Sequence, residues 1–337
     1  MTASDSAPQG VIASELMRAG SVLVLTHMRP DGDAVGSALG MAEFLRACGK
    51  RSNALFPEPL PRCYTAFARC AVTEIAPEAL ESYDAVLLLD CANPARIALG
   101  GIPPERLSER TLLNVDHHRG NLVTGAENCV DPEAAAASLL AFEIAGRTGR
   151  PIPGEAATLW YLGIVTDTGS FRFSNTTPRV FRTAAELLEL GADQEAVTNA
   201  VFFSKPRGRQ LFEADLAEHC IRFAADGRLA YAVLTPEIFE RHHFDMRDGE
   251  GVVDLLREIE GTVISVLAHQ RRDGEFKFSF RSKDAALPVG PFARAHGGGG
   301  HEMAAGATLR FPDAAAAERF ILDHAPELAG GTKHGTL

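Results

Sequence analysis

The sequence predicts an α/β protein in which a parallel-sheet domain is joined by a linker to a smaller mixed α/β domain. The chain has 337 residues, which exceeds the usual size of one domain and favours two. Its first half contains continuous apolar runs that end abruptly in polar residues, and helical patterns lie between these runs. Such runs are typical of parallel strands buried on both faces, and their alternation with helices favours a doubly wound sheet.

The strands predicted in the first half each end at a residue that could bind a ligand. They span residues 22–26 before His27, 85–89 before Asp90, and 111–115 before Asp116. A helix is predicted over residues 34–48, because Gly49 follows it at a C-cap position. Parallel sheets bind ligands beyond the carboxyl ends of their strands, so we expect the three polar side chains at one sheet edge.

The second half is predicted to form the smaller domain. A helix over residues 177–190 precedes a polar, basic segment whose Pro206 and Gly208 suit a connection. Beyond it, strands are predicted over 229–234, 263–268 and 276–281, with a helix over 252–258. The predicted organisation is a disordered tail over 1–14, a first domain over 15–192, a linker over 193–215, a second domain over 216–328 and a flexible tail over 329–337. Alanine runs at 134–137 and 314–317 are interpreted as helix surface.

The charge and the cysteine content argue against several classes of protein. With 33 Lys+Arg against 44 Asp+Glu, the formal net charge is −11, which disfavours binding to long duplex nucleic acid or to an anionic membrane. The six cysteines form no C-x-x-C pair, a pattern typical of reduced thiols. No stretch has the length of a membrane span and the first residues lack a basic, apolar leader, so we expect a cytoplasmic protein.

A first polar segment lies between a predicted strand and a predicted helix. It places His27, Asp31 and Asp33 within one tight turn. An Asp-Gly-Asp turn on its own is compatible with a simple helix cap, but a cap needs only one carboxylate. The histidine and the second carboxylate therefore indicate a binding site.

Three further segments carry residues of the same chemistry. They contain Asp90, the triplet Asp116–His118, and Asp167, which ends a helical stretch over 156–167. A carboxylate at a helix C-terminus opposes the helix dipole and favours a nearby cation. Alone, each segment is compatible with a cap or a solvated loop, which is how we interpret the pair His242–His243.

Together the segments supply four carboxylates and two imidazoles at one predicted edge: His27, Asp31, Asp33, Asp90, His117 and Asp167. Carboxylates this close would repel one another, so divalent cations are the economical explanation. Oxygen and nitrogen ligands without thiolate suit Mn²⁺ or Mg²⁺, and the imidazoles favour Mn²⁺. Six ligands are enough for two ions that share a carboxylate, which is the arrangement that activates water for attack at phosphorus.

A glycine run near the end of the chain predicts a phosphate or nucleotide site. The glycines Gly298, Gly299 and Gly300 would let the backbone approach an anion, and His301 with an expected helix start would add positive potential. A flexible hinge is the alternative, but Arg281 on a nearby predicted strand favours the anion site. Arg172 lies between two phenylalanines and is compatible with a base or phosphate contact or with an ordinary surface position.

The four polar segments resemble those of the DHH phosphoesterase superfamily in order and spacing. Arg281-Ser282-Lys283, followed by the glycine run and His301, resembles the accessory DHHA1 domain. Taken together over roughly residues 15–310, they are most similar to the NrnA-type group of oligoribonucleases and 3'-phosphoadenosine 5'-phosphate phosphatases.

This resemblance implies a role for each matching position. The metal ligands would be His27 and Asp31 for one ion, Asp33, His117 and Asp167 for the other, and Asp90 as the bridge between them. Asp116 would orient an imidazole, and His118 would contact the substrate phosphate or the leaving group. In the second domain, Ser282 would join Arg281, the glycines and His301 in binding substrate.

The predicted function is hydrolysis of short RNA or DNA oligonucleotides, dinucleotides such as pApA, and nucleoside bisphosphates, by water that two metal ions activate. The alternatives are a RecJ-like exonuclease on longer single strands, a family II pyrophosphatase, and a nucleotide-sensing module without catalysis. A long-strand exonuclease needs a positive channel with stacking aromatics, and only 7% of this chain is aromatic. The sequence leaves the preferred nucleotide, the polarity of attack, the native metal and a homodimeric state open.

Overall fold

A computed structural model describes residues 7–249, 251–272 and 274–330 of the chain. The chain divides into two compact units between Ser204 and Lys205, which is inside the predicted linker. We call residues up to 204 the first unit and residues from 205 the second unit. The predicted α/β class, with a parallel sheet followed by a mixed sheet, is confirmed.

The first unit contains one parallel sheet. Its strands are β1 (Ser21–Leu25), β2 (Arg51–Leu55), β3 (Ala71–Val72), β4 (Ala85–Leu89), β5 (Thr111–Asp116) and β6 (Glu127–Val130). They are arranged in the order β3-β2-β1-β4-β5-β6, and every neighbouring pair is parallel. The chain order reverses between β1 and β4, so the carboxyl ends of these two strands flank the crevice where sheets of this order bind ligands.

Helices cover one face of this sheet. They are α1 (Pro8–Arg18), α2 (Gly32–Ala47), α3 (Ala137–Arg147) and α4 (Gly154–Asp167), followed by α5 (Pro178–Glu189) and α6 (Gln194–Phe202). Val22 and Val24 of β1 point into the core on the helical face, and Leu23 points into a second core on the other face. There the cover consists of 3-10 turns that begin near Pro77, Pro94 and Pro104, not of α-helices. Among the described residues, the expected doubly wound arrangement is therefore α-helical on one side only.

Part of the segment predicted to be a disordered tail is helical. Residues 8–14 belong to α1, and its Ile12 and Leu16 are fully buried in the first core. These residues are one helical turn apart, so a single face of α1 packs inward. Residues 1–6 and 331–337 of the predicted tails lie outside the described residues, and Ala329 is buried.

The second unit is built on a mixed sheet. Its strands are β7 (Arg222–Ala224), β8 (Leu229–Leu234), β9 (Ile264–Arg272), β10 (Glu275–Ser282), β11 (Gly299–Gly300) and β12 (Ala304–Arg310). Its helices are α7 (Arg207–Asp215), α8 (Pro236–Arg241), α9 (Asp254–Arg257), α10 (Gly290–Ala295) and α11 (Ala314–Leu328). The order is β11-β12-β10-β9-β8-β7, with β8 and β9 parallel and the other pairs antiparallel. Because α6 and α7 occupy most of residues 193–215, the predicted linker is largely helical.

None of the helices in the described ranges combines the length and apolar character needed to span a membrane. All six cysteines carry free thiols.

Candidate metal centre

The turn after β1 positions three of the predicted ligands. His27 follows the strand directly and is held by a bridge to Ile97. Asp31 caps α2 by accepting a hydrogen bond from the Ala34 N–H at 3.1 Å. Asp33 lies in the first turn of α2 and is buried. Its two oxygens accept hydrogen bonds from the N–H groups of Ala137 at 2.6 Å and Ser138 at 2.9 Å. The strand end and two helix starts thus fix these side chains together.

The ends of the neighbouring strands and of α4 supply the remaining ligands. Asp90 follows β4 in a left-handed conformation with φ of +55°, which non-glycine residues adopt rarely and which concentrates at functional sites. His117 follows β5 and is buried. Asp167 is the last residue of α4, as predicted, and its side chain is 25% exposed.

The six side chains form one cluster in which Asp90 lies between the two imidazoles. The Nε2 of His27 lies 3.6 Å from Asp90 Oδ2 and 3.9 Å from Asp31 Oδ2. The Nε2 of His117 lies 3.4 Å from Asp90 Oδ1 and 3.7 Å from one oxygen each of Asp33 and Asp167. These side chains form two groups of potential ligands. The first is His27 with Asp31 and Asp90, and the second is Asp33 with His117 and Asp167. Within each group, the ligand atoms lie within 4.8 Å of one another.

Burial and the neighbouring charges shift the pKa values of these groups. Burial and the negative charge of Asp90 raise the pKa of Asp33 to about 7. Burial also raises the pKa of Asp167 well above its usual range, although His117 opposes that rise. Burial opposes ionisation of Asp90 as well, but the neighbouring imidazoles of His117 and His27 hold its pKa well below the usual value. Burial lowers the pKa of both imidazoles, but the neighbouring carboxylates raise it by more. Asp90 thus raises the pKa of His27, and the pKa of His117 lies well above its ordinary value.

Backbone carbonyls orient the two imidazoles. His117 Nδ1 lies 3.2 Å from the Ala134 carbonyl oxygen, and His27 Nδ1 lies 3.0 Å from that of Met28. A hydrogen bond from Nδ1 to a carbonyl leaves the lone pair of Nε2 directed at the carboxylates, which is the usual arrangement of metal-binding histidines. Arg96 Nη2 lies 3.1 Å from His27 Nδ1 and can only donate, so Arg96 and the Met28 carbonyl require opposite protonation of this nitrogen.

The predicted second-sphere pair is also in contact. Asp116 Oδ1 lies 2.8 Å from His118 Nδ1 and accepts the backbone N–H of His117 at 2.8 Å. Its other oxygen accepts a hydrogen bond from Asn121. Asp116 is fully buried, whereas His118 is partly exposed. His118 is therefore oriented by Asp116 at the edge of the cluster, 3.5 Å from Asp90 Oδ1.

The comparisons with known proteins match both units. The model of the DHH family, N-terminal domain, matches residues 21–164, and the DHHA1 domain model matches residues 226–324. The bifunctional oligoribonuclease and PAP phosphatase NrnA of Thermus thermophilus is 34% identical over 314 residues, which cover 93% of this chain and 92% of that protein. The chain belongs to the DHH family. The predicted phosphoesterase family and hydrolase class are therefore confirmed.

Solved structures share the DHH fold. A crystal structure of an exopolyphosphatase-related protein from Bacteroides fragilis superposes with a TM-score of 0.84 at 24% identity, covering 95% of this chain and 97% of that one. RecJ of Thermus thermophilus in complex with Mn²⁺ has a TM-score of 0.52 at 16% identity, covering 96% of this chain and 54% of RecJ. DHH phosphoesterases depend on metal ions, and the acidic and imidazole cluster of this DHH chain provides suitable ligands.

Close helix packing supports the cluster of this DHH domain. A Cβ on Gly36 of α2 would lie 2.4 Å from the Leu159 carbonyl oxygen, and a Cβ on Gly163 of α4 would lie 1.9 Å from Ser138 Oγ and 2.6 Å from Asp33 Oδ1. Only glycine allows α2, α3 and α4 to approach this closely. Gly36 of α2 and Gly163 of α4 therefore help to place Asp33.

Some positioning groups of the DHH site were missed by sequence reasoning. The alanines at 134–137 were interpreted as helix surface, but they are buried, and α3 begins only at Ala137. Their backbone contacts His117 and Asp33, so small side chains are needed for close approach. The one available signal was the run of small residues itself, since backbone donors and acceptors leave no mark in a sequence.

Arg172 lies in an unusual turn that follows Asp167. Gly169, Ser170 and Phe171 all have positive φ, and Arg172 Nε donates to the Gly169 carbonyl at 2.8 Å. Arg172 is exposed. Its side chain is thus tied to its own turn at the rim of the first unit.

The glycine run of the DHHA1 unit forms a hairpin, not a loop before a helix. Gly299 and Gly300 pair with Gly306 and Ala305 of β12, and the predicted helix after His301 is therefore wrong. A Cβ on Gly298 would lie 2.2 Å from the Gly306 carbonyl oxygen and one on Gly300 would lie 2.6 Å from the Ala304 carbonyl oxygen, so close packing requires glycine at these two positions. Alanine prefers helices, but pairing of β12 with β10 overrides that preference.

Arg281 of the DHHA1 unit lies beside this hairpin. It pairs in register with Ala304 of β12, next to the turn that contains His301. Ser282, by contrast, is fully buried, and its hydroxyl donates to the Asp284 carbonyl at 2.9 Å. The structure thus brings Arg281, the glycines and His301 together and leaves the Ser282 side chain inside the unit.

Proposed function

We propose that this chain hydrolyses the phosphoester bonds of short oligonucleotides and of nucleoside bisphosphates such as 3'-phosphoadenosine 5'-phosphate (PAP). The observation that carries the proposal is the cluster of four carboxylates and two imidazoles in which Asp90 lies between His27 and His117. The Thermus thermophilus relative bears the names of both activities. Linear dinucleotides such as pApA belong to the same proposed substrate class.

The chemistry of the cluster fits two divalent cations. Asp90 Oδ1 is buried and has no hydrogen-bond donor in good geometry, which is costly for a carboxylate oxygen unless a cation lies nearby. The donor set contains oxygen and imidazole nitrogen without thiolate, so we propose Mn²⁺ as the native metal and Mg²⁺ as a substitute.

We assign the ligands from the two groups of neighbouring atoms. His27 and Asp31 would hold one cation, whereas Asp33, His117 and Asp167 would hold the other. Asp90 would be shared, because its Oδ2 lies near His27 and its Oδ1 near His117. When bound, two such cations lower the pKa of a water molecule and neutralise charge on the phosphoryl oxygens.

The protein's own residues orient the reactants and carry protons. His118 donates from Nδ1 to Asp116, so Nε2 is the atom that would pass a proton to the leaving oxygen. Asp116 would hold that imidazole in one tautomer because its buried Oδ1 lies 2.8 Å from Nδ1. Burial of Asp33 and Asp90 excludes bulk water from these two carboxylates and strengthens their interactions with charge.

We propose that residues 216–328 of the second unit bind substrate. Arg281, His301 and the backbone of Gly298, Gly299 and Gly300 would contact a terminal phosphate or base, and Arg172 of the first unit would contact another part of the substrate. Ser282 would then act through the turn that it stabilises with Asp284.

The proposal limits the substrate to short chains. The net charge of −11 disfavours long polyanions, and we propose that the enzyme works in the cytoplasm without a membrane or long duplex as partner. A homodimer is compatible with this role.

A panel of four substrates tests the proposed function. The purified chain with Mn²⁺ should hydrolyse pApA and PAP and release little from a 24-mer RNA or from pyrophosphate. A RecJ-like enzyme would degrade the 24-mer efficiently, and a pyrophosphatase would prefer pyrophosphate. Binding of nucleotides without turnover at any Mn²⁺ concentration would show a sensing module instead.

A further inference from the structure

A pocket beside the metal centre shares His27 with it. Its cavity volume is about 80 Å³, and it lies entirely within the first unit. Met28, Phe56, Pro57 and Leu99 give it largely apolar walls. A concave, mostly apolar site with few polar groups is the usual form of a small-ligand pocket.

The pocket is held open by backbone hydrogen bonds between its walls. The Met28 N–H donates to the Arg96 carbonyl at 2.7 Å, and the Ala98 N–H donates to the Thr26 carbonyl at 2.9 Å. Phe56 extends from the end of β2, where its N–H donates to Val72. The walls are therefore preformed, and a ligand would lose little affinity to their ordering.

Two backbone features also indicate a binding loop. Gly100 has a φ of +56°, and a Cβ there would lie 3.1 Å from Pro57 Cγ, so glycine lets the two walls approach. Arg29 has the same φ of +56° without being glycine, and strain of this kind concentrates at ligand-binding segments.

The charges that line the pocket oppose one another. Arg29 is cationic and Glu58 is anionic, and both are exposed. A phosphate group would need a surplus of positive donors, which this lining lacks. A planar base, with apolar faces and polar edges, matches apolar walls with one donor and one acceptor side chain.

We propose that this pocket binds the base of one of the two nucleosides that flank the scissile phosphate. The inference rests on the proposed function, because it places the reacting phosphorus at the cluster around Asp90. His27 connects the two sites: it lines the pocket, and its Nε2 lies 3.6 Å from Asp90 Oδ2. Met28, Phe56 and Leu99 are thus specificity residues that contact the base.

The proposal is tested by comparing wild type and a pocket variant on pApA and on pApA analogues that lack one base. Leu99→Trp should fill the pocket and raise KM for pApA by about fivefold to a hundredfold, the range of one lost base contact, with kcat nearly unchanged. The penalty should disappear on one of two pApA analogues, lacking either the 5' or the 3' base. Leu188→Trp, at an exposed position of α5, is the matched control and should behave like wild type.

An equal penalty on pApA and on both abasic analogues would overturn the proposal, and so would no penalty in a folded variant. Mn²⁺ affinity and Tm establish folding, and Met28→Ala replaces Leu99→Trp if the latter is unstable. If wild type hydrolyses none of the substrates, the proposed function fails. Titration with AMP then tests separately whether the pocket binds a base. Binding of AMP to wild type and its loss in Leu99→Trp would still support it, whereas equal binding would refute it.

Discussion

His117 Nε2 lies 3.4 Å from Oδ1 of Asp90, at the carboxyl ends of the neighbouring strands β5 and β4. Asp90 is reached from its other side by His27, so the carboxylate lies between the two imidazoles. This relationship places Asp90 at the centre of the proposed two-cation site. The predictions below vary the cluster, its support and the second unit.

Replacing Asp116 should impair turnover more than binding. Asp116→Asn removes the negative charge that favours the Nδ1–H tautomer of His118, so we expect kcat to fall about 10-fold to 100-fold with little change in KM. Steady-state kinetics with pApA measures both parameters. A variant with normal kcat would show that His118 needs no orientation by Asp116.

Replacing Gly163 should disturb the cluster through packing. Gly163→Ala places a methyl group against Ser138 and Asp33. The free energy of unfolding should therefore fall by about 1–3 kcal/mol, and Mn²⁺ affinity should fall with it. Gly146→Ala in α3 is the matched control, because nothing lies within 4 Å of its Cβ. The control should be neutral or stabilising by up to about 1 kcal/mol. Equal effects of the two substitutions would contradict close packing of α2, α3 and α4.

Mn²⁺ affinity should rise with pH. The pKa values of His27 and His117 are raised, and that of Asp33 is about 7, so these groups hold protons at pH 6 that cations must displace. Affinity should therefore increase between pH 6 and pH 8, by up to about tenfold per pH unit for each displaced proton. Calorimetric titrations in buffers of different ionisation enthalpy measure the released protons. An affinity that is independent of pH would contradict binding at this cluster.

Replacing Arg281 should weaken substrate binding. Arg281→Ala removes a cation beside the glycine hairpin, so KM for pApA should rise while kcat stays close to wild type. Arg272→Ala, on the neighbouring strand β9 and 70% exposed, serves as control. If kcat collapsed in Arg281→Ala and KM held, the second unit would have a role in chemistry and not in binding.

Much of the fold was predictable from sequence because the buried strands carry continuous apolar runs. β8 has the predicted bounds, and α2 and α5 begin and end within a few residues of the prediction. The 3-10 cover of the sheet and the hairpin of β11 and β12 were not predictable, since tertiary pairing decided them over local propensity.

The polar cluster was foreseeable for a different reason. Strand order brings the residues after β1, β4 and β5 to one edge, so His27, Asp90 and His117 had to meet once the sheet was parallel. The partners that orient them, such as the Ala134 carbonyl, depend on how α3 packs. No residue type signals a backbone acceptor in advance.

The most direct test of the account is Mn²⁺ binding and pApA hydrolysis by Asp90→Asn. The substitution keeps the shape of the side chain and removes the charge that both proposed cation sites share. Asp323→Asn, on the exposed face of α11, is the matched control and should retain full activity. We predict that Asp90→Asn remains folded, binds fewer than two Mn²⁺ ions per chain and loses at least about a hundredfold in kcat. Two bound Mn²⁺ ions with undiminished hydrolysis in Asp90→Asn would contradict the central claim.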